Sequence, residues 1–534
     1  MAPQLIIHNA RIATCDGANS IVTAMAIWQD RIFAVGGDAD ILSLVGKGTR
    51  VIDLCGRFVC PGFTDCHVHL SGWAVLASGS EVHLDGLGSL EETLAKIAAH
   101  IPRVQPGTWL RGRGWDRNHW AGSPWPTASD LDTVTGPVPA ALPSHDGHSV
   151  WANSAAMALA GIDRSTPDPD GGRINHLPNG EPSGIFEESA AWMMRGKVPE
   201  YTREELVAAL RAALPQAAAL GLTAVHNLEA RNSRHAIQVL ADQGALPLRI
   251  THYVAPESLD ALAELAVRNG LGNDWVRFGG VKTFMDGALG SQTAAMLEPY
   301  EGSDNRGYTT QSPEELADLV RRANAGGIAL ALHAIGDRAI RLALDAFEQC
   351  AEYPLGKPRH RLEHAQHVHP DDWARMARLG LIASMQPAHM LADIPTCERQ
   401  LGTRSRWAFA MRSLLDAGVT LAFGSDAPVE IIDPLRGFQS ALLRQDWNGN
   451  PPGGWYPEQR LSAVEALRAY TIDAAWAGCA ERTNGSLEPG KLADFVVVSR
   501  DLLRCRPEEL PDARILATCV GGRPTHDPDG LFAG

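Results

Sequence analysis

The chain has 534 residues, of which 45% are hydrophobic and 20% are charged, and its formal net charge at pH 7 is -15. This composition is typical of a globular protein with enough apolar material for a large core, and it excludes a mainly disordered chain. The acidic balance and the lack of a basic block argue against a nucleic-acid partner, because phosphate binding depends on clustered lysine and arginine.

The longer apolar runs, such as residues 217–222 and 325–332, are far shorter than the roughly 18 residues that a membrane span requires, so no membrane partner is expected. The first residues lack the basic start and the long apolar stretch of a secretory signal, which makes a cytoplasmic location the expectation. The nine cysteines show no paired spacing, which favours free thiols over a disulfide framework.

The two ends of the chain share a pattern of short strands and turns. From Leu5 to Asp53, apolar and polar residues alternate between turns at Asp16-Gly17 and Gly36-Gly37, with no helical period. Residues 485–498 have the same character. We therefore expect residues 1–58 and 484–534 to pair into one β-sandwich.

Between the two ends, short apolar runs stop at a polar residue and are followed by a helical pattern, which is typical of repeated βα units. Eight such strand ends occur, at Asp65, His226, Tyr253, Lys282, His333, His364, Gln386 and Asp426. The pattern predicts an α/β fold, a (β/α)8 TIM barrel over residues 59–75 and 216–483. The long gap after the first strand end predicts an inserted α/β subdomain over residues 76–215.

The insertion is rich in tryptophan. Seven of the fourteen tryptophans fall between residues 70 and 195, at Trp73, Trp109, Trp115, Trp120, Trp125, Trp151 and Trp192. One interpretation is that the insertion covers an apolar or aromatic cavity over the active site. The other is that the rings form the core of a small subdomain.

The sharpest local signal is the segment PGFTDCHVH over residues 61–69, at the end of the first barrel strand. Alternation along a strand places His67 and His69 on the same face. Two neighbouring imidazoles can share one divalent metal, and neutral imidazole is a favoured zinc ligand. The pair therefore predicts a metal site.

Ligand-type residues recur at the ends of later strands, where barrel enzymes have their active sites. His333, His364 and Asp426 add two imidazoles and a carboxylate to the first pair. His226 ends the second strand and faces either this mouth or the barrel core, and both alternatives stay open.

The ordered segments PGFTDCHVH, VKTFMDG, LHAIGD, EHAQ, GSDAP and GSLEPGKLAD resemble the amidohydrolase superfamily, particularly its amidohydrolase-3 branch, which includes N-substituted formamide deformylases. The resemblance covers nearly the whole chain. It implies a barrel flanked by a β-sandwich from both chain ends.

Residue by residue, the resemblance implies one metal on His67 and His69, a second on His333 and His364, and contact of Asp426 with the metal-activated water. The cofactor is expected to be zinc, one or two ions per chain. Lys282, once carbamylated by CO2, would bridge two metals. The alternative is a cationic Lys282 paired with Asp286 and a single-metal site.

The implied reaction is hydrolysis of a C–N bond in an amide or N-substituted formamide. Asp426 takes the proton of the attacking water and returns it to the leaving nitrogen, while His364 steadies the oxyanion. In the insertion, the resemblance makes His145 and His148 candidates for contact with the substrate, with Trp115 and Asp116 as further candidates. The substrate is expected to be a small molecule, with an apolar or aromatic group if the insertion forms an aromatic cavity.

Two competing functions remain open. The same metal site would serve a deaminase of a ring or cyclic amidine, which releases ammonia without cleaving an amide. A non-catalytic relative that binds ligands is the other alternative, although such a protein would be expected to lack metal ligands, and none is missing here. The sandwich and the insertion leave room for a homo-oligomer.

Overall fold

The computed structural model describes residues 2–145, 148–229, 231–350 and 358–533. The chain forms two compact units, one made of Met1–Trp73 with Leu214–Gly534, and the other of Ala74–Ala213. All nine cysteines are free, as the sequence predicts. No helix in these described ranges is long and apolar enough to cross a membrane.

The larger unit contains a sandwich of two sheets. One sheet has four strands from the N-terminal segment, in the order Arg31–Gly36, Ala24–Trp28, Leu5–His8 and Arg50–Asp53. The other has six strands from both chain ends, in the order Arg523–His526, Ile515–Val520, Phe495–Val498, Phe58–Pro61, Arg11–Ala13 and Ile21–Val22. Apolar side chains from both ends share one core, which confirms the predicted sandwich. A short helix, Asp38–Leu42, lies where the sequence shows no helical period.

The second element of the larger unit is a parallel eight-stranded sheet that closes into a barrel. Its strands, in spatial and chain order, are Phe63–Val68, Leu222–Asn227, Arg249–Val254, Val276–Phe284, Leu330–Ala334, Arg361–His364, Ile382–Met385 and Thr420–Phe423. Each lies at one of the eight strand ends that the sequence indicates, so the predicted (β/α)8 barrel is confirmed. The strands are almost entirely buried, which explains their near-continuous apolar runs.

The first and eighth barrel strands meet at the residues that follow them. The backbone N–H of Asp426 donates to the carbonyl of His67 at 2.7 Å, and the N–H of His69 donates to the carbonyl of Ala427 at 2.8 Å. We call this pairing the seam of the barrel. It brings two chain segments that are far apart in sequence into register at the mouth.

Helices accompany the barrel strands. Three of them begin with capping boxes, in which Thr202 with Glu205, Ser312 with Glu315 and Ser462 with Glu465 satisfy each other's free N–H groups. The helices of this part of the chain are Leu70–Ala77, Arg203–Ala219, Arg231–Asp242, Leu259–Glu264, Pro313–Gly326, Asp337–Gln349, Pro370–Leu379, Pro387–Leu401, Met411–Asp416, Pro434–Leu443, Ala463–Ala469 and Ile472–Ala477.

The smaller unit is an α/β subdomain. Its strands are Val82–His83, Gly112–Arg113, Ala141–Pro143, Ser149–Ala152, Gly172–His176 and Pro182–Glu188, and its helices are Leu90–His100, Ala128–Thr135, Ser154–Ala160 and Ser189–Arg195. Trp115, Trp120 and Trp151 are buried in one of its hydrophobic cores. The interpretation of the tryptophans as subdomain core is therefore confirmed for these three, whereas Trp125 and Trp192 are exposed.

Candidate metal centre

Three predicted ligands converge at the seam of the barrel. His67 Nε2 and His69 Nε2 each lie 3.2 Å from Oδ1 of Asp426. These three ligand atoms form one of the groups that could hold a metal ion. The two histidines come from the first strand and the carboxylate follows the eighth, so barrel closure assembles the group.

The atoms of this group are placed as metal ligands rather than as hydrogen-bonding partners. His67 Nε2 and Asp426 Oδ1 are buried, and neither has a hydrogen-bond partner among the described residues. A buried polar atom without a partner costs about 1–3 kcal/mol, so such atoms call for an explanation. A tetrahedral zinc with bonds of about 2.0–2.1 Å holds its ligand atoms roughly 3.3 Å apart. The observed separations of 3.2 Å fit that spacing.

The charges around His67 favour a cation. Its Nδ1 lies 2.6 Å from Glu363 and its Nε2 faces Asp426. Burial works to lower the pKa of His67, but these two carboxylates hold it above its ordinary value. Burial likewise works to raise the pKa of Asp426, and the surrounding histidines hold it well below the usual range. The centre therefore stabilises positive charge beside a carboxylate that stays ionised.

A second group of ligand atoms consists of His364, His389 and Asp426. Asp426 thus belongs to both groups. His364 Nδ1 donates to Oε1 of Gln386 at 2.9 Å, which leaves Nε2 as the free lone pair of a neutral ring. Burial lowers the pKa of His364 well below its ordinary value, so the ring is neutral at pH 7, as a ligand must be. His389 is not among the ligands predicted from the sequence.

His333 lies beside this group but does not supply one of its three ligand atoms. Its ring centroid is 4.5 Å from that of His364, and its Nε2 donates to the carbonyl of Gly287 at 3.1 Å. Burial, helped by the nearby Lys282, lowers the pKa of His333 to about 3. The ring is therefore neutral, and a lone pair on Nδ1 remains.

Lys282 is buried, with 7% of its surface exposed, and its Nζ lies 4.6 Å from the ring centre of Phe284. Burial lowers the pKa of this amine below its ordinary value. Within the described chain, no carboxylate lies within 4.0 Å of Lys282 Nζ. Asp286 instead accepts hydrogen bonds from the backbone N–H groups of Ala295, Ile335 and Gly336. The alternative pairing of Lys282 with Asp286 is therefore wrong.

Glu363 and Arg361, which were not predicted from the sequence either, form a buried network behind the ligands. Glu363 accepts hydrogen bonds from Arg361 and, at 2.7 Å, from Ser384, and it contacts His67 Nδ1. A carboxylate on the second nitrogen of a ligand histidine fixes the orientation of the ring. Arg361 also donates to Nδ1 of His226 at 2.9 Å, which places His226 in the barrel interior rather than among the ligands.

The backbone is strained where two ligands leave their strands. His364, Ala365 and Asp426 have φ angles of +69°, +41° and +61°, in the left-handed region that side chains other than glycine disfavour. Such strain costs about 1–3 kcal/mol per residue and persists where the surroundings enforce it, typically at functional sites. Here it directs the ligand side chains into the mouth.

Gly424 is required for the close approach of the eighth strand to the first. A Cβ at this position would lie 2.4 Å from the backbone nitrogen of His67. We expect Gly424→Ala to lower the free energy of unfolding by about 1–3 kcal/mol, because neither backbone can move without opening the seam. Metal content should fall with it. Urea unfolding and elemental analysis measure the two effects.

Gly17→Ala is the control for that substitution, because a Cβ there meets nothing within 4 Å. Equal losses of stability in the two variants would contradict the steric argument.

The four residues predicted to contact substrate line one cleft of about 730 Å³ within the smaller unit: Trp115, Asp116, His145 and His148. Two of them have structural contacts. Trp115 is buried and its Nε1 donates to the carbonyl of Leu142 at 2.7 Å, and Asp116 accepts from the N–H of Asn118 at 2.9 Å, at the start of the short helix Arg117–His119. The two histidines are exposed and lie beside carboxylates, His145 at 2.7 Å from Asp85 and His148 at 3.2 Å from Glu188.

Histidines and a shared carboxylate at the C-terminal mouth of a (β/α)8 barrel define a metal-dependent hydrolase. The chain belongs to the amidohydrolase family, which it matches over residues 50–526. The substrates of such enzymes are small molecules.

Relatives and solved structures agree with this assignment. The chain is 31% identical over 532 residues to the N-substituted formamide deformylase of Arthrobacter pascens, covering 97% of each chain. It is 34% identical to Protein LONG AFTER FAR-RED 3 of Arabidopsis thaliana, over 97% of this chain and 91% of that one. Among solved structures, an uncharacterized metal-dependent hydrolase from Pyrococcus furiosus matches with a TM-score of 0.80 and 28% identity, over 94% of this chain and all of that one.

Proposed function

We propose that this protein hydrolyses a C–N bond in an amide or N-substituted formamide, using a divalent metal, zinc, at the mouth of the barrel. The convergence of His67 and His69 on the buried Oδ1 of Asp426, which has no hydrogen-bond partner among the described residues, is the observation that carries the proposal. The similarity to an N-substituted formamide deformylase over nearly the full length of both chains supports this bond type.

The residues present fit a divalent metal, because their unpaired atoms have the element types and spacing of zinc ligands. A metal held there would polarise a carbonyl group and would lower the pKa of water from 15.7 to about 7. Asp426, ionised and adjacent to both histidines, accepts the proton of the attacking water and delivers it to the leaving nitrogen. The tautomer of His364 supports its role as a ligand, whereas steadying an oxyanion would require an N–H at Nε2.

Lys282 is the candidate bridge between two metals. Its amine is buried beside the ligands without a carboxylate in ion-pair distance among the described residues. A neutral amine adds to CO2 with release of one proton, which gives a carbamate with two oxygen ligands. Such a group would connect the position at His67 and His69 to one at His333 and His364.

The rival function, deamination of a ring or cyclic amidine, uses the same ligands and differs in its product. The non-catalytic alternative is disfavoured because the predicted ligand set is complete. A cytoplasmic location and a homo-oligomer stay predictions.

The test is to incubate the zinc-replete protein with a panel of N-substituted formamides, acylated amino acids and cyclic amidines, and to measure the release of formate, carboxylate, amine and ammonia. We expect turnover of at least one N-substituted formamide, its loss on chelation and its return with zinc. Ammonia release from ring substrates alone would favour the rival. If the zinc-replete protein turns over neither class, the proposed function is wrong.

Contact of the insertion with substrate is testable through KM. We expect His145→Ala to raise KM by up to about tenfold while kcat stays nearly constant, because loss of one hydrogen bond removes about 0.5–1.5 kcal/mol of binding. His176→Ala is the matched control, since this exposed histidine lies in the same unit outside the cleft. An unchanged KM for His145→Ala would exclude its contact with the substrate.

A further inference from the structure

His389 lies at the mouth of the barrel but belongs to neither metal position expected from the sequence. It is in the first turn of the helix Pro387–Leu401, directly after the seventh barrel strand. Only 17% of its side chain is exposed. One of its ring nitrogens lies within 4.8 Å of ligand atoms from both His364 and Asp426. The ring is therefore beside the carboxylate that accepts the proton in the proposed reaction.

The surroundings of His389 determine which nitrogen is available. Its Nε2 lies 3.8 Å from Oδ2 of Asp393, and that oxygen is held by the side-chain amide of Gln366 at 2.6 Å. A carboxylate beside Nε2 favours the proton on that nitrogen and leaves a lone pair on Nδ1. His389 Nδ1 is buried and has no hydrogen-bond partner among the described residues. The ring thus has one acceptor atom without a donor.

The two neighbours of His389 in this group do not supply that donor. His364 has its proton on Nδ1, which donates to Oε1 of Gln386, so its Nε2 carries a lone pair. Asp426 is a carboxylate whose buried Oδ1 also has no hydrogen bond among the described residues. A buried acceptor left without a donor is costly. A molecule bound in the mouth is therefore expected to bring the donor.

A secondary amide carries such a donor on the atom that reacts. Its carbonyl oxygen is an acceptor, whereas its nitrogen has one N–H. Two acceptor atoms within 4.8 Å of each other can both lie about 2.9 Å from one nitrogen atom. A scissile nitrogen between His389 and Asp426 would donate to His389 and would face the carboxylate that returns a proton to it.

We propose that Nδ1 of His389 accepts a hydrogen bond from the N–H of the scissile amide, and that the enzyme thereby selects secondary amides over tertiary ones. The inference rests on the proposed function and names the substrate class within it. A tertiary amide has a carbon group in place of this hydrogen, so it leaves the acceptor buried and unpaired. Sites that hydrogen-bond a substrate group discriminate strongly against analogues that lack the group.

The experiment compares kcat/KM for the best secondary formamide of the panel with kcat/KM for its N-methyl derivative, using zinc-replete protein. His389→Leu removes the acceptor. His389→Asn keeps one, because the side-chain oxygen of asparagine takes nearly the position of Nδ1 in histidine. We expect the preference for the secondary formamide to fall at least about tenfold in His389→Leu and to stay within about threefold of the wild-type value in His389→Asn.

His367→Leu is the matched control. His367 is also a buried histidine, and its Nε2 has no partner among the described residues, but it belongs to neither ligand group. The ratio of the two kcat/KM values cancels any loss of folded protein. This variant should therefore keep the wild-type preference even if it folds poorly.

The outcomes separate this inference from the proposed function. An equal loss for both formamides in His389→Leu would show that the ring acts on the carbonyl group that they share or on the fold, and would overturn the proposal. A wild type that turns over both formamides equally well would overturn it too. If the wild type hydrolyses neither formamide, the proposed function fails and this inference fails with it, whereas turnover with an unchanged preference in His389→Leu refutes the inference alone.

Discussion

Replacing Asp426 by asparagine is expected to lower kcat for the proposed formamide hydrolysis by at least about 10³-fold, since proton transfer by a positioned side chain alone contributes about 10²–10⁴-fold. Asparagine has nearly the same shape but cannot accept the proton. It also removes the charge shared by both ligand groups, so metal content should fall as well. Steady-state kinetics with the best formamide of the panel, together with elemental analysis, measure both effects.

Asp433→Asn is the control for this substitution. Asp433 lies in the same loop and caps the helix Pro434–Leu443 through the N–H groups of Leu435 and Arg436, outside the ligand groups. Asparagine is also a good helix cap, so kcat should stay within about threefold of the wild-type value. Retention of more than about a tenth of kcat in Asp426→Asn would rule out its role as the proton acceptor.

Replacing Arg361 by methionine is expected to lower the free energy of unfolding by about 3–5 kcal/mol, because it leaves the Glu363 carboxylate buried without its cation. Both side chains are fully buried, and Arg361 also donates to Ser384 at 2.8 Å and to the carbonyl of Cys66. Urea unfolding of the metal-free protein measures the loss without a contribution from a bound metal.

An exposed ion pair in the same unit provides the comparison. Arg322 pairs with Asp260, and their side chains are 42% and 80% exposed. Arg322→Met should change the free energy of unfolding by no more than about 1 kcal/mol, because exposed pairs are screened by water. A similar loss in both variants would show that burial of the Arg361 pair adds nothing.

The barrel could be predicted because its strands are buried on both faces and end at polar residues. Each apolar run therefore stops visibly in the sequence, and the eight strand ends coincide with observed strands. The helix Asp38–Leu42 was missed because five residues are too few for a helical period.

The centre was only partly predictable. His67 and His69 repeat at the two-residue period of a strand, and His364 and Asp426 follow strand ends, so their positions carry a signal. His389 lies in a helix beyond its strand end, where no short-range pattern distinguishes a ligand from a surface residue. The only clue was its closeness to Gln386, the end of the seventh predicted strand.

Glu363 was missed for a different physical reason. It immediately precedes His364, and alternation along the strand directs it away from the mouth and into the barrel interior. A charged residue there is expected only when a partner neutralises it, and that partner, Arg361, lies two residues back on the same face. The two-residue spacing of Arg361 and Glu363 is visible in the sequence. That the two charges neutralise each other inside the barrel is not.

The seam has a consequence for the order in which the enzyme becomes active. His67 and His69 are synthesised early, but their carboxylate partner is near the end of the barrel sequence, and the hydrogen bonds of Asp426 and Ala427 form only when the eighth strand docks. Neither ligand group is complete before that step, since both need Asp426. In a ribosome-bound chain that stops short of this strand, neither ligand group is complete, and metal acquisition therefore reports that the barrel has closed.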